Sequence, residues 1–313
     1  MHPLHPNLQP WLAEYNLALK QKADAGYKAT AIGAREALAE LTRQQVAAGP
    51  AVAWVNDDLA PGGEYRVPVR IYHPEPRRPL PVLVFLHGGG HMAGSVSVYD
   101  PICRRLAAAS RHIVVAAEYR LAPENPYPAG LNDAASVVKG VWDVLDERRL
   151  PYRRQLALAG DSAGGALCAS LSGKAAADGA EPGIARQVLI YPCVDYTLAQ
   201  PSVAENGDGY FLTANRTEWY FDQYFQHDED RRQASPLYWP AAPNPPATLL
   251  ITAGRDPLRD QGLQYGNQLK AAGAQVEQLH LDDQMHAFLN MEALVPEVCQ
   301  LVYRRIGAFL NAE

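Results

Sequence analysis

The residues whose types and spacing point most clearly to catalysis are those from Gly160 to Gly164, which read Gly-Asp-Ser-Ala-Gly. They follow the short apolar run 155–159 and precede an Ala- and Leu-rich stretch with helical spacing. A serine in a sharp strand-to-helix turn has a strained backbone, and its hydroxyl is exposed at the edge of the sheet. The helix N-terminus beside it favours developing negative charge. The motif therefore predicts that Ser162 is a nucleophile.

A serine nucleophile needs a general base, and that base needs an acid that orients it. In a turn of this type, the acid and then the histidine follow the serine along the chain. His286 comes just after the last predicted strand, at the carboxyl edge of the sheet where catalytic groups gather. His280 lies inside that strand, and His227 lies in an acidic stretch. We therefore expect His286 to be the base.

Asp256 is the best-placed acid for this base. It follows the strand predicted at 247–253, at the same edge of the sheet, and Pro257 can begin the next helix. A purely helix-capping aspartate is the structural alternative at this position. Three other carboxylates compete for the role: Asp260, Asp282 and Asp283.

A glycine run follows the strand predicted at 82–87 and reads His87-Gly88-Gly89-Gly90. Consecutive glycines let backbone N–H groups turn toward a ligand, and acyl transfer needs two or three such donors around the carbonyl oxygen. A plain flexible turn is the structural alternative. We expect the oxyanion donors to be four backbone amides, those of Gly88, Gly89, Gly90 and Ala163.

The same glycine run allows two other interpretations. Its spacing, with Ala93, matches a dinucleotide-binding pattern, and Glu118 ends the next strand where an acid would bind ribose. That interpretation is disfavoured because the next helix begins only near residue 100. His87 and His91 have the spacing of a metal pair, but a third ligand is not close to them in sequence. We therefore expect neither a cofactor nor a metal site.

Short apolar runs alternate with helical patterns around these residues. An antiparallel hairpin is predicted within 52–73. Strands without polar alternation, separated by helices, then predict a mostly parallel sheet that is covered on both faces. The predicted strands are 82–87, 113–118, 155–159, 187–191, 247–253 and 275–281. The predicted helices are about 100–110, 131–147, 163–178, 258–273 and 292–311.

Two further segments are expected to form a helical cap. Residues 1–50 contain two helical patterns, and these either cover a pocket or simply pack on the main domain. Residues 195–235 are too aromatic for a linker and too long for a crossover, so an inserted cap segment fits them. The catalytic domain is then expected at 51–194 and 236–313.

Composition excludes several classes of protein. The apolar fraction is 48% and the charged fraction 20%, which argues against disorder and fibrous architectures. The net charge is −6, so nucleic acid is not an expected partner. The sequence contains no apolar run long enough to cross a bilayer, and its four cysteines are scattered. These features predict a soluble, reduced, cytoplasmic protein without stable membrane insertion.

Several motifs in the right order resemble the hormone-sensitive-lipase-like (bacterial family IV) esterases. The resemblance runs from about residue 50 to the end of the chain. It is carried by His87-Gly88-Gly89-Gly90, Gly160-Asp161-Ser162-Ala163-Gly164-Gly165, Asp256-Pro257-Leu258 with His286, Tyr119-Arg120-Leu121-Ala122-Pro123-Glu124 with Tyr127-Pro128-Ala129 and Asp133, and Tyr210-Phe211-Leu212-Thr213.

This resemblance implies an α/β-hydrolase fold and a cofactor-free carboxylesterase with a short- to medium-chain acyl preference. It also implies a Ser162, His286 and Asp256 triad, and a homodimer formed through the last strand and helix. We expect three residues to line the substrate pocket: His91, Asp161 and Tyr191.

Three positions depart from the family pattern. The residue after the glycine run is usually a large aromatic but is His91 here, which bears on the shape and polarity of the acyl pocket. The residue after the histidine is often glycine but is Ala287 here. The preceding turn, 282–285, is unusually acidic.

Two other functions remain open from the sequence. An amidase or peptidase can use the same triad, and the sequence does not distinguish its substrates from esters. A non-enzymatic small-molecule receptor can use the same scaffold, since a fold does not determine a function. In such receptors a triad member is typically lost, whereas all three candidates are present here.

Overall fold

The computed structural model describes residues 3–61, 65–178, 183–240 and 242–312. Within them the chain forms one eight-stranded sheet of order β1-β2-β4-β3-β5-β6-β7-β8. The six strands from β4 to β8 in this order pair parallel to one another. At the other edge, β2 pairs antiparallel with both β4 and β1. The strands are β1 Trp54–Ala60, β2 Val67–His73, β3 Leu80–Leu86, β4 Ile113–Ala117, β5 Tyr152–Asp161, β6 Ile184–Ile190, β7 Ala247–Arg255 and β8 Val276–Met285.

Helices connect the strands and cover both faces of the sheet. They are α1 Leu8–Asp24, α2 Ala31–Gln45, α3 Asp100–Ser110, α4 Ala129–Glu147, α5 Ala163–Asp178, α6 Pro201–Asn206, α7 Ala214–Tyr224, α8 Arg231–Ala234, α9 Arg259–Ala271 and α10 Pro296–Leu310. Two 3₁₀ turns lie at Pro236–Tyr238 and Phe288–Met291. The α/β-hydrolase fold expected from the sequence is confirmed.

The side chains of the central strand β3 alternate between two apolar layers. Leu83 and Phe85 pack in the layer that includes residues of α3 and α10. Val82, Val84 and Leu86 pack in the layer that includes residues of α4, α5 and α9. Because successive strand side chains point to opposite faces, a strand covered on both sides must be apolar at every position. This explains the unbroken apolar run in β3, all of which is buried.

The last strand differs from its prediction. It was expected to end at residue 281, but β8 continues through Met285. It is an edge strand in which most side chains are exposed or partly exposed, so polar residues such as Asp282 and Asp283 do not end it. A register shift opposite Ala253 and Arg255 bends the end of the pairing. His286 therefore still follows the strand directly.

The N-terminal helices are held against the rest of the chain by apolar packing and by backbone hydrogen bonds. Leu8 and Leu12 of α1 are buried in the same layer as α10. The His5 amide donates to the Asp283 carbonyl at 2.8 Å, and the Ala293 amide donates to the Gln45 carbonyl at 2.7 Å. Residues 8–45 thus pack on the sheet domain. Among the helices of the described residues, none is long and apolar enough to span a membrane.

Candidate active site

Ser162 lies in the turn between β5 and α5 with a φ of +52°, in the left-handed region. Such a backbone is unfavourable for a residue with a side chain, and the surrounding turn must compensate for it. The flanking glycines are needed for close approach. A Cβ atom on Gly164 would overlap the Leu86 carbonyl oxygen, and one on Gly160 would overlap the Gly164 carbonyl. The Ser162 amide donates to the Ile190 carbonyl at 2.9 Å, which anchors the turn to β6.

The structure brings Ser162, His286 and Asp256 together from three different strand ends. His286 Nε2 lies 2.8 Å from the Ser162 hydroxyl oxygen, and His286 Nδ1 lies 2.7 Å from Asp256 Oδ2. The other Asp256 oxygen accepts the Leu258 amide at 2.8 Å. With Nδ1–H donating to the carboxylate, Nε2 is left to accept the serine proton. This is the geometry that a general base requires.

The competing carboxylates have other partners. Asp260 accepts the Ser202 amide and pairs with Arg259 at 2.7 Å. Asp282 lies 3.3 Å from the His280 ring, and Asp283 accepts from the Gln284 amide group. The helix-capping alternative for Asp256 does not hold, because α9 begins at Arg259 and has no side-chain cap. Asp256 Oδ1 instead accepts the amide of Leu258, the residue before the helix, so the one carboxylate fixes this turn and contacts the histidine.

The glycine run lies beside the serine, but its four proposed donors are not equivalent. The Gly88 amide donates to Asp161 Oδ1 at 2.7 Å, so it is not available to an oxyanion. The expectation for Gly88 was wrong because a buried carboxylate takes its N–H. Among the residues that the structure describes, the amides of Gly89, Gly90 and Ala163 have no hydrogen-bond acceptor. Gly89 and Gly90 have φ values of +119° and +63°, which favour glycine.

Asp161 holds this glycine loop in place. It is 2% exposed and accepts both the Gly88 amide and the Tyr99 hydroxyl, the latter at 3.0 Å. Burial raises the pKa of Asp161 to about 6, and the two hydrogen bonds partly oppose that rise. Asp161 also lines a cavity that opens above Ser162, as expected. Its partner Tyr99 was missed, since nothing local in the sequence signals a contact 62 residues away.

The two histidines of the glycine run are engaged with neighbours. His87 Nδ1 lies 2.8 Å from the Gly88 carbonyl oxygen, and its ring stacks on Tyr119. His91 Nε2 lies 3.0 Å from the Tyr196 hydroxyl, and its ring stacks on Tyr224. Burial lowers the pKa of His87 to about 4 and that of His91 to about 3. Both rings are therefore neutral, and each uses a ring nitrogen within the protein.

The dinucleotide interpretation fails on the loop geometry. The glycine run does not open a helix, because α3 begins only at Asp100. The Glu118 carboxylate, which would bind a ribose in that interpretation, accepts the Val96 amide at 2.7 Å instead.

Tyr191 does not line the cavity as expected. Its side chain is buried, with the ring centroid 4.8 Å from that of His286 and 5.2 Å from that of Phe288. The chain turns at this residue with a φ of +35°. Tyr191 is not among the residues that line the cavity over Ser162, so the prediction that it lines the substrate pocket was wrong.

A cavity of about 470 Å³ opens above Ser162. Helices α1, α2 and α7 supply about half of its lining residues, so the N-terminal segment both packs on the domain and covers this space. His91 is among the lining residues, as expected. Aromatic side chains dominate the walls: Trp11, Tyr15, Tyr27, Tyr99, Phe211, Trp219, Tyr220 and Phe221.

Two wall residues were missed by the sequence reasoning. Tyr220 stands directly over Gly90, where a Cβ atom would lie 2.6 Å from the tyrosine ring. Arg216 lies one turn earlier on α7 and also faces the cavity. The only available signal was the aromatic content of the cap segment, which does not say which residues face inward.

Comparisons with known proteins agree with this architecture. The model of a family described by its alpha/beta hydrolase fold matches residues 83–290. An ethyl acetate hydrolase from Pseudomonas putida is 34% identical over 238 residues, 74% of this chain and 74% of that protein. A solved ester hydrolase from the metagenome of Lake Arreo, bound to a bipyridine phosphonate derivative, has a TM-score of 0.89. It is 30% identical, over 98% of each chain.

A receptor is also among the similar proteins. A gibberellin receptor from Arabidopsis thaliana is 31% identical over 250 residues, 75% of this chain and 69% of the receptor. Overall similarity therefore does not separate enzymes from receptors, and the residues at the site must do so.

Proposed function

The chain belongs to the alpha/beta hydrolase fold family, among its hormone-sensitive-lipase-like carboxylic ester hydrolases, and we propose that it acts on short- to medium-chain esters through an acyl-enzyme. The proposal assigns the nucleophile to Ser162, the general base to His286 and the orienting acid to Asp256. One observation carries it: the continuous hydrogen-bonded path of 2.8 Å and 2.7 Å from the serine through the histidine to the buried carboxylate.

Acylation begins when His286 accepts the Ser162 proton and the serine oxygen attacks the ester carbonyl carbon. The carbonyl oxygen becomes an oxyanion, for which Gly89, Gly90 and Ala163 offer amides. Removing one such donor costs roughly 3 kcal/mol in a serine hydrolase of a different fold. The histidinium then gives its proton to the leaving alcohol. Asp256 keeps Nδ1 protonated, so Nε2 always faces the serine.

Deacylation repeats these steps with water. His286 removes a proton from the water, whose oxygen attacks the acyl carbon, and the oxyanion again contacts the amides. The tetrahedral intermediate collapses, the Ser162 oxygen leaves, and His286 returns the proton to it. The carboxylic acid is released and the free enzyme is restored.

The receptor alternative is disfavoured by the completeness of the site. A receptor needs a binding cavity but has no use for a serine in a left-handed turn, which costs of order 1–3 kcal/mol. The amidase alternative uses the same residues. It differs only in the leaving group, because amines need more protonation than alcohols do. Matched ester and anilide substrates with one acyl group separate the two.

The test is a series of 4-nitrophenyl esters with acyl chains of increasing length. Wild type is expected to turn them over, with an optimum among the short and medium chains that fit the cavity. Ser162→Ala is expected to lose about 10³-fold or more in kcat. The control is Ser136→Ala, which removes a surface hydroxyl from α4 and should retain full activity. Full activity in Ser162→Ala would contradict the proposal.

A further inference from the structure

Arg216 is the one arginine among the described residues that line the Ser162 cavity. It is partly buried, and its Nη1 donates to the Tyr15 hydroxyl at 2.5 Å. The guanidinium carbon lies 5.8 Å from the Tyr15 ring centroid and 5.9 Å from that of Phe211. Both rings also line the cavity. The guanidinium is therefore positioned at the cavity wall by two aromatic side chains.

Most N–H donors of the Arg216 guanidinium are not used by Tyr15. Across the described ranges its charge has no carboxylate within ion-pairing distance. The acidic residues of its own helix, Glu218 and Asp222, both pair with Arg231 at 2.7 Å. A guanidinium has five N–H donors, of which Tyr15 uses one. Since a partly buried charge is stabilised by a counter-charge, an anionic ligand would complete this site.

The charges around the cavity point the same way. Two basic residues, Arg216 and Lys22, line it, and Lys22 belongs to the last turn of α1. The acidic lining residue, Asp161, lies at the serine end and is occupied by Gly88 and Tyr99. The described lining residues from α1 and α7 therefore include these two basic side chains and no acidic one, in a chain of net charge −6. A local basic wall in an acidic protein selects for an anionic group at that place.

The distance from the reacting serine is set by helix α7. Residues four apart on a helix face the same side, roughly 6 Å from each other. Tyr220 stands over Gly90 of the glycine loop, and Arg216 lies one turn beyond it. A group that contacts Arg216 is therefore several bonds from a carbonyl held at the glycine loop.

We propose that Arg216 binds a carboxylate of the substrate, so that the preferred esters carry a carboxylate several bonds from the ester carbonyl. The inference rests on the proposed function and adds to it the class of ester. Because this carboxylate lies away from the reacting atoms, Arg216 contacts it equally in the ground state and the transition state. Its effect belongs mainly in KM.

The kinetic test compares two esters that differ only in charge. One is mono-4-nitrophenyl adipate, and the other carries a terminal carboxamide in place of its carboxylate. Wild type is expected to favour the adipate by about 10- to 100-fold in kcat/KM, the range of a charge-assisted hydrogen bond. Arg216→Gln should remove this preference through KM. Arg216→Lys should retain part of it, because lysine keeps the charge but not the planar fork.

The control variant is Arg77→Gln, which makes the same change in net charge at an exposed position outside the cavity. It should keep the wild-type preference for the adipate. Equal turnover of both esters by wild type would overturn the inference. Equal losses on both esters in Arg216→Gln would also overturn it, since the arginine would then be only structural.

A binding measurement separates this inference from the proposed function. Trp11 and Trp219 line the cavity, so their fluorescence reports on ligands there. In Ser162→Ala, the adipate ester should bind more tightly than the carboxamide ester, and adding Arg216→Gln should equalise the two. This result supports carboxylate binding even where wild type fails to hydrolyse either ester. Equal binding of the two esters by Ser162→Ala overturns it.

Discussion

Asp256 lies within hydrogen-bond distance of His286 Nδ1, where its carboxylate would hold the imidazole in the tautomer that leaves Nε2 free to accept a proton. Asp256→Asn can keep the packing but presents an amide to the imidazole, which favours the wrong tautomer. The expected loss is about 10⁴-fold in kcat with KM little changed. Steady-state kinetics on one short-chain 4-nitrophenyl ester measures it.

The matched control is Asp282→Asn, since Asp282 is a competing acid with a more exposed side chain that lies beside His280. This variant should stay within about threefold of wild type in kcat, because its carboxylate does not orient the base. A large loss in Asp282→Asn together with a small one in Asp256→Asn would reverse the assignment.

Asp161 makes a second prediction, about stability and pH. Its pKa in the folded protein is raised from 3.8 to about 6, so the folded state holds this proton more tightly than the unfolded chain. The stability from this group is fully present below about pH 4 and is lost as pH rises through 6. A rise of this size corresponds to about 3 kcal/mol.

The free energy of unfolding of Asp161→Asn minus that of wild type should therefore rise by up to about 3 kcal/mol as the pH is raised from 4 to 7. Denaturant titrations at several pH values measure this difference. The control is Asp24→Asn, an exposed residue at the end of α1, for which the difference should stay nearly flat. A flat difference for Asp161→Asn would mean that the carboxyl is not desolvated as the fold implies.

These residues differ in how clearly the local sequence marks them, for a physical reason. Ser162 is marked by its own neighbours, because the turn requires glycines at fixed local positions. Asp256 and His286 are marked by the ends of apolar strands. The engagement of Gly88 by Asp161 depends on residues 73 apart in sequence, which no local pattern encodes. Tyr191 was misplaced because a side chain's direction at a strand end depends on the turn that follows.

At the scale of elements, the turn after β8 holds His286 at a cost. Ala287 has a φ of +63°, a conformation that glycine adopts readily and alanine does not. Ala287→Gly should relieve this strain and raise the free energy of unfolding by about 0.5–1 kcal/mol. Thermal or denaturant unfolding measures the change.

The control for this prediction is Ala18→Gly in the exposed face of α1. The same substitution in a helix interior should destabilise the protein by about 1 kcal/mol. The two variants thus have opposite expected signs. If Ala287→Gly destabilised the protein as Ala18→Gly does, the left-handed turn would not be a source of strain.

The types of the elements were predictable because apolar residues are spaced differently in helices and in buried strands. Unbroken apolar runs such as that in β3 indicate strands that are buried on both faces. The end of β8 was not predictable, because an exposed edge strand has the polar composition of a loop. The orientation of α7 was not predictable either, since aromatic residues occur on more than one of its faces.

At the scale of the whole molecule, stability resides in the two apolar layers on either side of the sheet. Leu83 in β3 is fully buried in one of them. Leu83→Ala should cost about 2–5 kcal/mol of the free energy of unfolding, because it removes apolar contacts and leaves a cavity. Leu17→Ala, the same substitution at a position 57% exposed, should change it by less than about 0.5 kcal/mol.

The comparison of these two leucines by denaturant unfolding checks the predicted core directly. Similar small effects at both positions would mean that β3 is not the centre of a packed sheet.

The central claim is that Ser162 carries the acyl group, and a trapped intermediate tests it most directly. A 4-nitrophenyl ester is mixed with the enzyme, quenched in acid during turnover, and the peptides are analysed by mass spectrometry. An acyl group is expected on the peptide that contains Ser162 in wild type, and no acyl group is expected on that peptide in Ser162→Ala. Turnover with the acyl group on another residue, or undiminished turnover by Ser162→Ala, would contradict the account.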